Sequence, residues 1–345
     1  MTEDIKILID SIKKHTNILT EEEWLEERRK CFTGTDAATL IGINPYNTPF
    51  RLYLTKKEGY ETKKTFSMLR GKYLEPLIAN LFAEDHPNFE VINLKDEENK
   101  ECITYHPSYP VIAGSIDRLF IDESGNIGVL EIKTAVGPGV ARWEDGPPQI
   151  YKIQLQQYLM IVKDIIKKIN PSMSDKVYGM FAYSLDDKLE YSLPIYPDPK
   201  VHDLILEAIF KYNKIVNVEK RHPDLVDFED VKLRYNKVYY SDYIEVNEDI
   251  VEKLIAFTNL KEKKDVSYKE YVTDIVKQID DVQKEIIEVI GDYEGLVYEG
   301  IIIATRKEDK NGSRRLYVSK KNLNEALSVV SKNLLEKDTG EDLPI

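Results

Sequence analysis

Residues 114–135 read GSIDRLFIDESGNIGVLEIKTA. Apolar runs at 111–121 and 127–134 flank the turn residues DESGN at 122–126, which predicts two strands folded into a hairpin. Asp117, Glu131 and Lys133 stand inside those apolar runs, where an unpaired charge is costly to bury. Glu131 and Lys133 are two residues apart, so on a strand they project from one face while Ile132 points the other way. The turn brings Asp117 alongside them. Two facing carboxylates repel unless a cation holds them, and hard oxygen ligands favour Mg²⁺ or Mn²⁺ over zinc. The alternative is a buried Glu131–Lys133 salt bridge with Asp117 capping the loop.

Working outward, strands are expected at 89–94, 101–105 and 177–184, with EYSLPIY at 190–196 as a short partner for the last. Thr20 and Glu23 form a capping box before a helix over 20–30. Gly34 and Thr35 open a short helix at 36–41, the Asn and Pro residues of 44–49 make a turn, and another helix carries residues 50–54. Leu74, Ile78, Leu81 and Phe82 recur at three- and four-residue spacing, predicting a helix from about 68 to 85 with Glu75 beside its apolar stripe. A second long helix is expected at about 149–168. It places Tyr151, Gln154 and Tyr158 along one edge. Gln154 suits a water or a phosphate, and the tyrosines either support main chain or stack on a base.

The 345 residues carry 61 Asp and Glu against 48 Lys and Arg, a formal net charge of −13. That argues against a positively coated surface but leaves room for a local basic groove. Cys31 and Cys102 are too few for a disulfide scaffold, a four-cysteine zinc site or an iron-sulfur cluster. No window approaches 18 apolar residues, and the first residues lack a signal-peptide core. The expectation is a reduced, cytoplasmic protein with no membrane partner.

Beyond about residue 200 the character changes. Helices are predicted at 201–218 and about 247–291, the second broken by the charge run KEKKD at 261–265, read as either a solvated face or a linker. A hairpin over 296–320 follows, with an Asn311-Gly312 turn. The expected domains are therefore 1–200 and a helical accessory region with a hairpin, 201–345. Lys307, Arg314 and Arg315 either contact phosphates or belong to an ordinary solvated hairpin.

Five pieces arrive in one order: RRKCFTGTDAATLIGINPYNTPFRLYLTKK at 28–57, RGKYLEPLIANLF at 70–82, IAGSIDRLF at 112–120, GVLEIKTA at 128–135 and YKIQLQQYL at 151–159. In these the chain resembles the YqaJ-type viral recombinases, the lambda-exonuclease-like branch of the PD-(D/E)xK nuclease superfamily, over roughly residues 24–184. The resemblance implies an α/β (α+β) restriction-endonuclease-like core, a central mixed sheet flanked by helices.

By position it implies a helix glutamate at Glu75, metal-binding acids at Asp117 and Glu131, a further ligand in the Ile132 main-chain carbonyl, a catalytic lysine at Lys133 and a glutamine at Gln154. Glu75 would reach the metal directly or through water. The family's 5′ phosphate pocket, an arginine and a hydroxyl, maps to Arg28 or Arg29, Thr35 and Arg51, guanidinium forks matching phosphate oxygens. Gly34-Thr35-Asp36 stands where family members usually read Gly-Ser-Asp. Trp143 lies either against the substrate or in a packed lid.

The implied function is a Mg²⁺-dependent 5′-to-3′ exonuclease on linear duplex DNA ends, with Mn²⁺ substituting, leaving 3′ overhangs for strand annealing. Implied partners are DNA ends, a single-strand annealing protein and two further copies in a trimeric ring. A phage or prophage origin within a bacterial cell goes with them. A related endonuclease, or a non-catalytic DNA-binding scaffold of the same fold, is the alternative.

Overall fold

The computed structural model describes residues 2–59, 65–95, 100–237, 241–266, 272–308 and 313–338. It divides into two compact units, Met1–Asp224 and Leu225–Ile345. The first begins with α1 (Glu3–Lys14), β1 (Thr16–Leu19), α2 (Glu21–Lys30), α3 (Gly34–Ile41), α4 (Pro49–Tyr53) and α5 (Phe66–Asp85). Strands β2 (Glu90–Ile92), β3 (Glu101–Tyr105), β4 (Ala113–Gly114), β5 (Arg118–Ile121) and β6 (Ile127–Ala135) follow. The unit closes with α6 (Gln149–Ile169), β7 (Val177–Leu185), β8 (Lys188–Tyr191) and α7 (Pro199–Asn213).

The central sheet has the order β2-β5-β6-β7-β8. It is mixed: β6 and β7 run parallel and every other neighbour pair is antiparallel. Parallel strands need a long crossover, and α6 supplies it. Pleat parity then sorts the strand residues between two cores. Leu119 and Val129 face the core built with Leu155, Leu159 and Val162 of α6, whereas Phe120, Leu130 and Ile132 face Ile78 and Phe82 of α5. The result is an α+β fold with helices on both faces of a mixed sheet.

The span 111–121 is not one strand. Its first half, β4, pairs with β3, and β3 with β1, in a separate three-stranded sheet, while its second half, β5, enters the central sheet. The chain crosses between sheets at Ser115, Ile116 and Asp117. The expected capping box at Thr20 and Glu23 is present, and α5 and α6 begin and end close to their predicted limits.

The first unit also continues past residue 200, the boundary expected from the sequence. Ile205, Ile209 and Tyr212 of α7, and Val216 beyond it, are buried in the α6-side core. The second unit contains α8 (Phe228–Arg234), β9 (Tyr243–Glu245), α9 (Glu248–Val266), α10 (Val272–Ile290), β10 (Gly295–Tyr298), β11 (Ile301–Glu308), β12 (Arg314–Val318) and α11 (Lys320–Asp338). It has its own core around Val251, Leu254, Ile286, Leu296 and Ile303. The run KEKKD does not interrupt α9, which continues through it to Val266; residues 261–264 are exposed, the solvated face of the two readings. The Asn311-Gly312 turn lies outside the described residues. No helix among the described residues is long and apolar enough to cross a membrane.

Candidate active site

Asp117 sits one residue before β5, and Glu131 and Lys133 sit near the end of β6 on the α6 side of the sheet. All three line a cavity of about 690 Å³ together with Glu75, Ile132, Gln154 and Tyr158. Glu131 is 1% exposed. Its Oε1 accepts hydrogen bonds from Lys133 Nζ and, at 2.7 Å, from Gln154 Nε2. Its Oε2 is buried with no hydrogen-bond partner. Asp117 Oδ2 accepts the main-chain N–H of Ile132 at 2.7 Å.

The electrostatics follow from this crowding. Burial, with the charges of Glu131 and Glu75, pushes the Asp117 carboxyl well above the usual carboxylate range. Burial also raises Glu131, against the opposing pull of Lys133. Burial would lower the Lys133 ammonium, but Glu131 and Asp117 outweigh it and hold its pKa up. The ammonium also lies 5.1 Å from the centre of the Tyr151 ring.

Glu75 arrives from α5, across the sheet. Arg118, whose pleat position points it to the α5 side, donates to Glu75 Oε1 at 2.9 Å and to the main-chain carbonyl of Asp117. Lys95 approaches the same Glu75 oxygen at 3.5 Å and Glu101 at 3.2 Å. Glu75 is thus held by two cations at the rim. Consistent with that, no group of three His, Cys, Asp or Glu side chains among the described residues is arranged to hold a metal ion. What the site does offer is an orphaned carboxylate oxygen on Glu131 beside Asp117 and the main chain at Ile132. That donor set fits a hard divalent cation.

Two glycines make these approaches possible. A Cβ on Gly34 would lie 2.6 Å from Gln154 Cγ, and one on Gly114 would lie 2.5 Å from the Tyr158 ring. Tyr158 is 3% exposed, and its hydroxyl accepts from Gln154 at 3.0 Å. Its ring is closed to a base, and it braces Gln154 instead. Trp143, 6% exposed, stacks on Tyr183 at 4.6 Å and Tyr151 at 5.6 Å. It also lines a second cavity next to the first.

Of the N-terminal candidates, Arg28 and Thr35 line the cavity, and Arg29 and Arg51 do not. The Arg28 guanidinium lies over Trp24 at 4.5 Å, and Trp24 Nε1 donates to Ser115 at 2.9 Å. Asp36 takes a structural place: it accepts from the main chain of Thr33 and pairs with buried Lys56 at 2.9 Å.

In the second unit Arg314 is buried and donates to the carbonyls of Lys237 and Tyr293 at 2.6 and 2.7 Å. It anchors that unit and offers nothing to a phosphate. Lys307 and Arg315 sit opposite each other across β11 and β12. Sequence reading missed Arg118, Lys95, Ser115 and Trp24. It also missed Gln157, which is fully buried and donates at 2.8 Å to the carbonyls of Phe32 and Ala113. The one available signal was a glutamine in an otherwise apolar helix face.

The central strand carries Glu-x-Lys beside an aspartate just before the neighbouring strand, the arrangement that the sequence resemblance implies. Residues 23–163 match the YqaJ-like viral recombinase domain model, and in this segment the chain is similar to that family. Over 145 residues it is 32% identical to the uncharacterized protein YqaJ of Bacillus subtilis strain 168. That match takes in 42% of this chain and 43% of the relative, so the chain spans less than half of the relative's length. Among solved structures it is similar to the alkaline exonuclease LHK-Exo from Laribacter hongkongensis, at 16% identity and a TM-score of 0.43, over 58% of this chain and 96% of that one. LHK-Exo in complex with dAMP gives 17% and 0.44, over 57% and 93%. SSO0001 gives 15% and 0.34, over 56% and 85%. Likenesses this low carry no argument about chemistry.

Proposed function

We propose that the protein is a metal-dependent deoxyribonuclease that digests one strand of linear duplex DNA from its 5′ end. The observation that carries the reading is the Glu131 carboxylate, buried and half-orphaned, with Lys133, Gln154 and Asp117 around it in one open cavity. Asp117 and Glu131 would hold Mg²⁺ or Mn²⁺ with the Ile132 carbonyl, and Glu75 through water. The cation supplies Lewis-acid polarisation of a phosphoryl oxygen when bound.

Lys133 orients the attacking water and offsets the charge that grows on the phosphoryl oxygens. Gln154 fixes the Glu131 carboxylate and is itself fixed by Tyr158. Arg28 and Thr35, which line the same cavity, receive the terminal 5′ phosphate, a role that a guanidinium fork and a hydroxyl fit. The product is a duplex with 3′ single-stranded ends, suited to a strand-annealing partner. A trimeric ring of this chain around the duplex would give processive digestion.

The test is a linear duplex labelled separately at its 5′ and 3′ ends, with a covalently closed circle as control. Metal-dependent release from 5′ ends, absent on circles and in Lys133→Ala, is the expected result. Removing Lys133 leaves Glu131 buried without its cation, at a cost of about 3–5 kcal/mol, so Asp117→Asn is assayed beside it. Cutting of the circle would make the protein an endonuclease. Duplex binding with no cleavage in Mg²⁺ or Mn²⁺ would make it a binding scaffold.

A further inference from the structure

Beside the carboxylate cavity lies a second one of about 540 Å³, and the two share Ser67, Thr134 and Tyr151. Gly137, in the left-handed region at φ 54°, turns the chain out of β6 to form its wall. Ile43, Pro45 and Val136 make it partly apolar. Its charged side is Arg70 on α5 and Arg142 in the turn after β6.

Acids outnumber bases in this chain, 61 to 48, yet neither guanidinium forms an ion pair among the described residues. Arg70 Nε is buried with no hydrogen-bond partner. Arg142 lies 5.1 Å over the ring of Tyr46, which is 58% exposed. A buried donor without an acceptor is costly, and Arg70 Nε is one, with the exposed, ion-pair-free guanidinium of Arg142 lining the same cavity; together they suit an anion. A volume of this size falls within the roughly 300–1,000 Å³ of small-molecule sites.

We propose that this second cavity binds a nucleotide adjoining the scissile phosphate, its phosphate on Arg70 and Arg142 and its sugar and base against Tyr46 and the apolar wall. The shared residues let one strand run from the first cavity into the second, so the inference rests on the nuclease reading. A nucleotide within the strand and a released mononucleotide present the same chemistry.

The test uses the full chain in EDTA, so that nothing is cleaved, with a fluorescein-labelled duplex bearing a single-stranded tail, titrated at several salt concentrations. Arg70→Gln and Arg142→Gln, each with an unchanged melting temperature, are expected to weaken binding about tenfold, the loss of one charge-assisted contact. Each lowers the slope of log K against log salt by about 0.7–0.9. Arg221→Gln, removing an exposed arginine already paired with Glu219, leaves both unchanged.

Titration with thymidine monophosphate separates the sources. Binding that the double variant abolishes puts a released nucleotide in the cavity, whereas no binding alongside a weakened duplex makes it a strand subsite. A folded double variant with wild-type affinity and salt slope, in a protein that still cleaves duplex ends, overturns this inference alone. A wild-type protein that neither binds nor cleaves DNA removes the nuclease reading with it.

Discussion

Glu131 accepts two hydrogen bonds on one oxygen and none on the other, and burial of this carboxylate and Asp117 governs how the site answers to pH. Asp117 and Glu131 both have raised pKa values, chiefly through burial. A carboxyl raised in the fold is stabilising when protonated. Its contribution is therefore full below its ordinary pKa of about 4 and is lost as pH rises through the raised value. A divalent cation binds the deprotonated pair and restores what was lost. The metal-free protein should lose more thermal stability between pH 5 and pH 8 than Asp117→Asn does, and Mg²⁺ should raise the wild-type melting temperature more at pH 8 than at pH 5. Calorimetry of both proteins across that range checks this, and parallel curves would remove the coupled-pair account. At this scale the sequence was legible where period 2 applies, placing Glu131 and Lys133 on one face. It was silent on Arg118, because a charged residue at a strand start looks the same whether it meets solvent or clamps Glu75 from another element.

Among the elements, the approach of α3 to α6 sets the position of Gln154. Gly34 permits it, since a Cβ there would meet Gln154 Cγ at 2.6 Å and its main chain at 3.0 Å. Gly34→Ala should cost about 1–3 kcal/mol as an overpacked contact, several degrees in melting temperature for a domain of this size. It should also lower cleavage by shifting Gln154 away from Glu131. Cleavage at the wild-type rate by a destabilised Gly34→Ala protein would show that Gln154 needs no such placement. Helix limits were largely readable, because caps and 3.6-residue periodicity are local. The break of 111–121 into β4 and β5 was not, since both halves are equally apolar and only their partners differ. Tyr158 and Trp143 likewise looked like an accessible edge and a loop, and packing against Gly114 and Tyr183 buries them.

For the molecule as a whole, α7 decides where the first unit ends. Ile205, Ile209, Tyr212 and Val216 are buried in its core, and each such side chain contributes about 1.5–3 kcal/mol. Their sum rivals the 5–15 kcal/mol by which a domain is stable. A fragment ending at 200 should therefore fail to fold cooperatively, while one ending at 224 should melt in a single transition that Mg²⁺ shifts upward. Circular dichroism melts of the two fragments distinguish them, and a cooperative 1–200 fragment would disprove the role given to α7.

Near neighbours along the chain were enough to set the strand-turn-strand stretch, the shared face of Glu131 and Lys133, and the helices that carry Glu75 and Gln154. Tertiary structure alone decided what those residues meet. It placed Glu75 between Arg118 and Lys95, closed Tyr158 and Trp143 to solvent, gave Arg314 to main-chain carbonyls and left Arg70 and Arg142 facing a cavity. Hydrogen-bond and hydrophobic periodicity act over a few residues along the chain. The pairing of a charge is settled by whichever element folds against it, however distant in sequence.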